Sequence, residues 1–121
     1  MALILIIDDS PTEVHFIRKA LEQHGYRTAA AGDGAEGIRL AKSMKPDLIL
    51  MDIVMPGVNG FQATRTLAKD PETRRIPVIM VTSKSQPSDR VWGMRQGAVD
   101  YLVKPVSPQQ LVEKAQAALG G

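Results

Sequence analysis

Three short runs of almost unbroken apolar residues limit what this chain can fold into. They are LILII at 3–7, LILM at 48–51 and VIMV at 78–81. A strand with one wet face alternates polar and apolar residues. A run that is apolar at every position suits a strand covered on both faces, as in a parallel sheet. Two weaker candidates, 27–31 and 101–103, are small and polar at the start or simply short, which suits sheet edges.

Helical patterns lie between these runs. Ser10-Pro11-Thr12-Glu13 reads as a capping box with Pro at the first helical position. Val14, Ile17, Ala20 and Leu21 then form an apolar stripe with Phe16 at its margin, and Gly25 is the expected left-handed stop. Further helices are expected over 35–44, ending before Lys45-Pro46, over 60–69, and over 87–96, closed by Gly97. The last starts at a second capping box, Ser107-Pro108-Gln109-Gln110, and carries Leu111, Val112, Ala115 and Leu119. Five strands alternating with five helices imply a parallel sheet with right-handed crossovers. The first, third and fourth strands should be central. The order 2-1-3-4-5 satisfies this, so the expected fold is a flavodoxin-like, doubly wound α/β sheet. Its switch point lies between strands one and three, where sites form beyond the carboxyl ends. The 121 residues make one domain, 1–121.

The residues at those carboxyl ends carry chemistry. Strand one ends at Asp8 and Asp9, strand three at Asp52, strand four at Thr82-Ser83, and strand five at Lys104-Pro105. Taken singly, each has an ordinary reading: a helix start, a turn former, a β-branched strand residue, a solvated lysine. Together these readings fail. Three carboxylates in one crevice repel and raise at least one pKa. A hard divalent cation removes the problem, and Mg²⁺ favours a few carboxylates plus water and phosphate oxygens. An Asp carboxylate can accept a phosphoryl group as an acyl phosphate. The Lys104 ammonium and the Thr82 hydroxyl can each take one of its oxygens. The loop Met55-Pro56-Gly57-Val58-Asn59-Gly60 then turns the backbone sharply beside the site.

On these residues the chain resembles a response-regulator receiver domain over its whole length. The resemblance rests on the Asp8-Asp9 pair, Asp52 with its MPGVNG loop, Thr82, Tyr101 and Lys104-Pro105. It implies that Asp52 is the phosphoacceptor, with Thr82 and Lys104 assisting. Asp9 and Asp52 would bind Mg²⁺ directly, Asp8 mainly through water, and the Val54 carbonyl would be a further ligand; Mn²⁺ is the alternative ion. Ile53, Thr82, Ser83 and Lys104 would hold the phosphoryl group. Thr82 and Tyr101 would form the switch, and the Lys104-Pro105 bond would be cis. SPTE, MDIVMPGVNGFQATR and VWGMRQGAVDYLVKPV are similar to the PilH-type single-domain regulators of type IV pilus twitching motility. One departure is Asn59, where an Asp is common; it is expected to face solvent.

The implied function is a stand-alone regulator that takes phosphate from a phosphohistidine on a histidine kinase or histidine phosphotransfer domain. Its output would be protein contact through the face of helix four, strand five and helix five, including Trp92. The alternative is a phosphate sink without a dedicated output partner. An aspartate-nucleophile phosphatase needs an acid two residues after the nucleophile, where this chain has Val54, so no enzyme is expected. A phosphate-independent adaptor conflicts with the complete acidic site. An FMN binder conflicts with the acidic turn after strand one. Val54 and Lys84 flank the line along which water would attack the phosphorus, and neither can act as a general base near neutral pH. A long-lived aspartyl phosphate is therefore expected.

Composition closes other routes. The chain has no cysteine, so disulfides and thiolate metal sites are excluded. Its net charge is only +2 and it has two Tyr, two Phe and one Trp, so no nucleic-acid partner is expected. Arg74, Arg75, Lys84, Arg90 and Arg95 are the nearest approach to a basic patch. No run reaches the roughly 20 apolar residues of a membrane span, and a cytoplasmic location is expected.

Overall fold

A computed structural model describes residues 1–120 of the chain. The last residue of the expected domain, Gly121, lies outside the described residues. The elements alternate: β1 (Leu3–Ile7), α1 (Pro11–Glu22), β2 (Arg27–Ala31), α2 (Gly34–Met44), β3 (Leu48–Met51), α3 (Gly60–Lys69), β4 (Val78–Thr82), α4 (Pro87–Gln96), β5 (Asp100–Val103) and α5 (Pro108–Ala118). All pairings are parallel, and the strand order is β2-β1-β3-β4-β5. The apolar runs therefore form the three central strands, as their uniform hydrophobicity requires.

Strand alternation divides the core into two layers. Ile4, Ile6, Leu48, Leu50, Ile79, Val81 and Leu102 point to one face and pack with Ile17 and Leu21 of α1 and Leu111, Val112 and Ala115 of α5. Leu5, Ile7, Ile49, Met51, Val78, Met80 and Tyr101 point to the other and pack with Ala41, Ala63 and Leu67 of α2 and α3. Both faces of the three central strands are dry, so their interiors carry no polar residue. Polar groups are pushed to the strand ends.

The helix ends follow local chemistry, with some corrections. Gly25 has a φ of +86°. Its amide bonds the Glu22 carbonyl and the Tyr26 amide bonds the Leu21 carbonyl, which closes the turn after α1 as expected. The two expected capping boxes form only in half. Ser10 accepts the Glu13 amide and Ser107 accepts the Gln110 amide, but no return bond is present. The Glu13 carboxylate instead faces Lys104, at 3.9 Å. The reciprocal box is at Asn59 and Gln62. Asn59 is thus a half-buried cap of α3 and does not simply face solvent.

Arg74 and Arg75 lie before the amino end of β4, whereas Lys84 follows its carboxyl end. Lys84 faces Asp89, and Arg90 pairs with Asp100 and donates to the Tyr101 carbonyl. These cations are spread over the fold and do not form one patch. No helix among the described residues is long and apolar enough to cross a membrane.

Candidate functional site

The register places Ile7 beside Met51, so Asp8 and Asp52 leave neighbouring strands side by side at the switch point. The Asp52 amide donates to the Ile7 carbonyl at 2.9 Å, which locks this alignment one residue past β3. Asp8, Asp9 and Asp52 each offer a carboxylate oxygen within 4.8 Å of the others. Asp8 and Asp52 are buried, and Asp9 is exposed at the mouth. One Asp8 oxygen accepts the Ser10 amide at 2.9 Å, and the other accepts the Lys104 ammonium at 2.9 Å. Lys104 also reaches an Asp52 oxygen at 3.5 Å. The other Asp52 oxygen takes the Ile53 amide at 2.7 Å.

Gly60 makes this geometry possible. A Cβ there would fall 2.1 Å from the Asp52 carbonyl oxygen. The glycine lets α3 begin directly against the acidic residue, and its amide bonds the Ile53 carbonyl at 2.9 Å. In the intervening loop Val54 is 59 % exposed.

The charges are unbalanced. Burial pushes the Asp52 carboxyl up; the Lys104 ammonium opposes this, Asp8 adds to it, and the Ile53 amide and Thr82 hydroxyl oppose it, so the net direction is upward. Burial would pull Lys104 down, but the hydrogen bond it donates to Asp8 and the charges of Asp52, Asp8 and Glu13 outweigh this, and the ammonium is held above its ordinary value. One cation thus serves two buried carboxylates, and the exposed Asp9 completes a set of hard oxygen donors. That donor set, open to water on the Asp9 side, suits a small divalent cation. A cleft of about 200 Å³ adjoins it, bordered by Asp8, Asp9, Pro11, Val14 and Ala30.

The remaining expected residues surround this cluster. Thr82 is fully buried and its hydroxyl accepts the Lys84 amide at 3.3 Å, while Ser83 is exposed. Tyr101 is only 5 % exposed; its hydroxyl donates to the Lys84 carbonyl at 2.7 Å. The ring therefore lies inward, not half out at the sheet edge. The Lys104-Pro105 bond is cis. The sequence pattern points to Glu13 only as part of a helix cap, and to Asp89 not at all. Glu13 lies in the first turn of α1, the helix that begins just after Asp8 and Asp9, and that position is the signal that it could face the site.

The geometry has counterparts in known proteins. Residues 4–116 match the response regulator receiver domain family. Protein PilH of Pseudomonas aeruginosa is 57 % identical over 121 residues, the full length of both chains. A structure of a response regulator from Chloroflexus aurantiacus superposes with a TM-score of 0.95 at 30 % identity, covering 99 % of this chain and 98 % of that one. The receiver domain of a Pseudomonas aeruginosa sensor histidine kinase, solved with a magnesium ion coordinated in its active site cleft, superposes with a TM-score of 0.91 at 32 % identity, covering 99 % and 98 %. A match that spans nearly the whole chain, on a sheet whose switch point gathers the acidic cluster, makes this chain a member of the response regulator receiver domain family, the phosphoacceptor modules of two-component signalling.

Proposed function

We propose that the chain acts as a stand-alone response regulator and takes a phosphoryl group from a phosphohistidine onto Asp52. The observation that carries this reading is the convergence of Asp8, Asp9 and Asp52, with Lys104 bonded to both buried members. Asp52 is the member that Lys104, the Ile53 amide and the Thr82 hydroxyl all address. An Asp52 oxygen bonds to phosphorus as the phosphorus–nitrogen bond of the donor breaks, and the freed imidazole nitrogen keeps the electron pair. Lys104 holds one phosphoryl oxygen, Thr82 a second, and Ile53 and Ser83 complete the cradle. Asp9, Asp52 and the Val54 carbonyl would hold Mg²⁺ directly and Asp8 would act mainly through water, with Mn²⁺ as a substitute. When bound, the ion neutralises charge between the carboxylates and the incoming oxygens.

The protein is proposed to be a switch, not an enzyme with a turnover substrate. Phosphorylation would bias Thr82 and Tyr101, and the face of α4, β5 and α5 would present the result to an output protein. Val91, Trp92 and Val103 lie exposed along that face. The donor would be a histidine kinase or histidine phosphotransfer domain. The full-length similarity to PilH supports a role in type IV pilus twitching motility. The first apolar run forms β1 of the sheet, and the cytoplasm is the proposed location.

The test is intact mass after incubation with acetyl phosphate and Mg²⁺, beside Asp52→Asn. One phosphoryl adduct is expected for the wild type, none with a chelator, and none for Asp52→Asn. An adduct of equal yield in Asp52→Asn would overturn the assignment.

A further inference from the structure

Lys84 ties together three parts of the β4–α4 connection. Its amide donates to the Thr82 hydroxyl at 3.3 Å, and its carbonyl accepts the Tyr101 hydroxyl at 2.7 Å. Its ammonium lies 3.9 Å from one oxygen of Asp89, in the first turn of α4. The other Asp89 oxygen accepts the Gln86 amide at 3.3 Å, so the carboxylate is fixed to the helix start.

The same lysine borders a cleft of about 280 Å³ with Ile53, Val54, Met55, Asn59 and Phe61. That wall begins one residue after Asp52. Lys84 therefore pairs with the Asp89 carboxylate on one side and borders, on the other, the cleft that begins beside Asp52.

We propose that Asp89 is a positioning residue that holds Lys84 on α4 until phosphorylation draws the ammonium away, so that the Lys84–Asp89 pair couples charge at Asp52 to the start of α4. This rests on the reading of Asp52 as phosphoacceptor. A phosphoryl group brings about 1.5–2 negative charges, against one on Asp89. A single ammonium cannot serve both sites in full, so whatever it loses on leaving Asp89 is subtracted from the affinity for the phosphoryl group. The Lys84 side chain is 39 % exposed and that of Asp89 18 %. Such a screened pair is worth about a two- to fivefold change in an equilibrium. Asp89 also reaches the switch residue. Burial first, and then the Asp89 charge, push the Tyr101 hydroxyl up. Arg90 opposes that charge at the Tyr101 hydroxyl, and withdrawal of Lys84 removes the second cation from Asp89 at the head of the Trp92-bearing helix.

The test is the affinity for beryllofluoride, a phosphoryl mimic, measured by calorimetry with Mg²⁺ present. The proteins are wild type, Asp52→Asn, Asp89→Asn, Asp89→Glu, Lys84→Gln and the Lys84→Gln/Asp89→Asn double variant. Asp89→Asn is expected to bind the mimic about two- to fivefold tighter. Asp89→Glu should return to the wild-type affinity. Lys84→Gln should bind more weakly, and Asp89→Asn should add nothing in that background. Equal affinity of Asp89→Asn and wild type, or the same gain with and without Lys84, would overturn the coupling. If the wild type fails to bind the mimic, or Asp52→Asn binds it equally well, the phosphoacceptor reading falls and the coupling falls with it.

Discussion

Asp52 and Asp70 sit at opposite ends of the same sheet, and their surroundings push their carboxyls in opposite directions. Asp70 follows α3 at the amino end. Its carboxylate accepts the Glu72 amide at 2.9 Å and pairs with Lys42 at 3.0 Å, and it is held below the ordinary carboxylate value. Asp52, at the carboxyl end, is buried beside Asp8 with one lysine to share, and is held above it. A lowered carboxyl supports the fold above its unfolded pKa. A raised one weakens the fold once it ionises. At the amino end the Asp70 charge is matched by Lys42 and serves the structure. Those at the carboxyl end are crowded at a cost to stability, and that mismatch is what leaves room for a cation and a phosphoryl group.

Removing the shared cation should break the contrast most sharply. Lys104→Met leaves Asp8 and Asp52 buried without their ammonium. The expected loss is about 1–3 kcal/mol of unfolding free energy in chelator at neutral pH, read by urea titration. Phosphorylation by acetyl phosphate should fall by about two orders of magnitude. The amino-end counterpart, Lys42→Met, breaks only an exposed ion pair and should lower the urea midpoint far less. Equal losses in the two variants would abolish the distinction between the two ends.

The next effect concerns the exposed lip of the carboxyl end. Val54 and Lys84 border the approach to Asp52, and neither can orient a water as a base. The double change Val54→Asn with Lys84→Glu should speed loss of the phosphoryl group about tenfold, because positioning dominates this chemistry. Decay is followed by mass after donor removal. A rate at or below that of the wild type would show that these side chains only cover the loop.

Asp52→Asn should stabilise the chelated protein by about 1 kcal/mol at pH 7, as relief of active-site crowding commonly does. The sign follows from the upward shift. Above the unfolded value the native state binds more protons at Asp52 than the unfolded chain, so wild-type stability falls as pH rises toward the native pKa. The gain from Asp52→Asn should therefore be smaller at pH 4 than at pH 7, and Mg²⁺ should narrow it by stabilising the wild type. A gain that is constant from pH 4 to 7 would mean that ionisation of Asp52 is not its cause.

The two ends also differ in how well the sequence foretells them. Uniformly apolar strands are stable only when covered on both faces, so the central place of β1, β3 and β4 and the position of Asp8, Asp52 and Thr82 at strand ends follow from pattern. The order 2-1-3-4-5, by contrast, is an arrangement that satisfies the pattern and that the family resemblance shares. Pro87 and Gly97 bracket α4 because each has a single favourable place at a helix end. Side chains with a choice of partners were not legible. Glu13 could have closed its own cap but faces Lys104. Asn59 could have stood in solvent but caps α3. Tyr101 could have lain half out, yet its hydroxyl finds a main-chain carbonyl, a group present at every residue and therefore invisible to pattern. The link between Lys84 and Asp89 depends on how the β4–α4 connection turns, which no periodicity reports.

The most direct test of the contrast between the two ends is to locate the phosphoryl group. Phosphorylation with acetyl phosphate and Mg²⁺, trapping with borohydride, which reduces an aspartyl phosphate to an alcohol, and peptide mass mapping would report the modified residue. The account predicts reduction at Asp52 alone, with Asp8, Asp9 and Asp70 unchanged. Reduction at Asp8 or Asp9, or at surface aspartates such as Asp70 to the same extent, would contradict it.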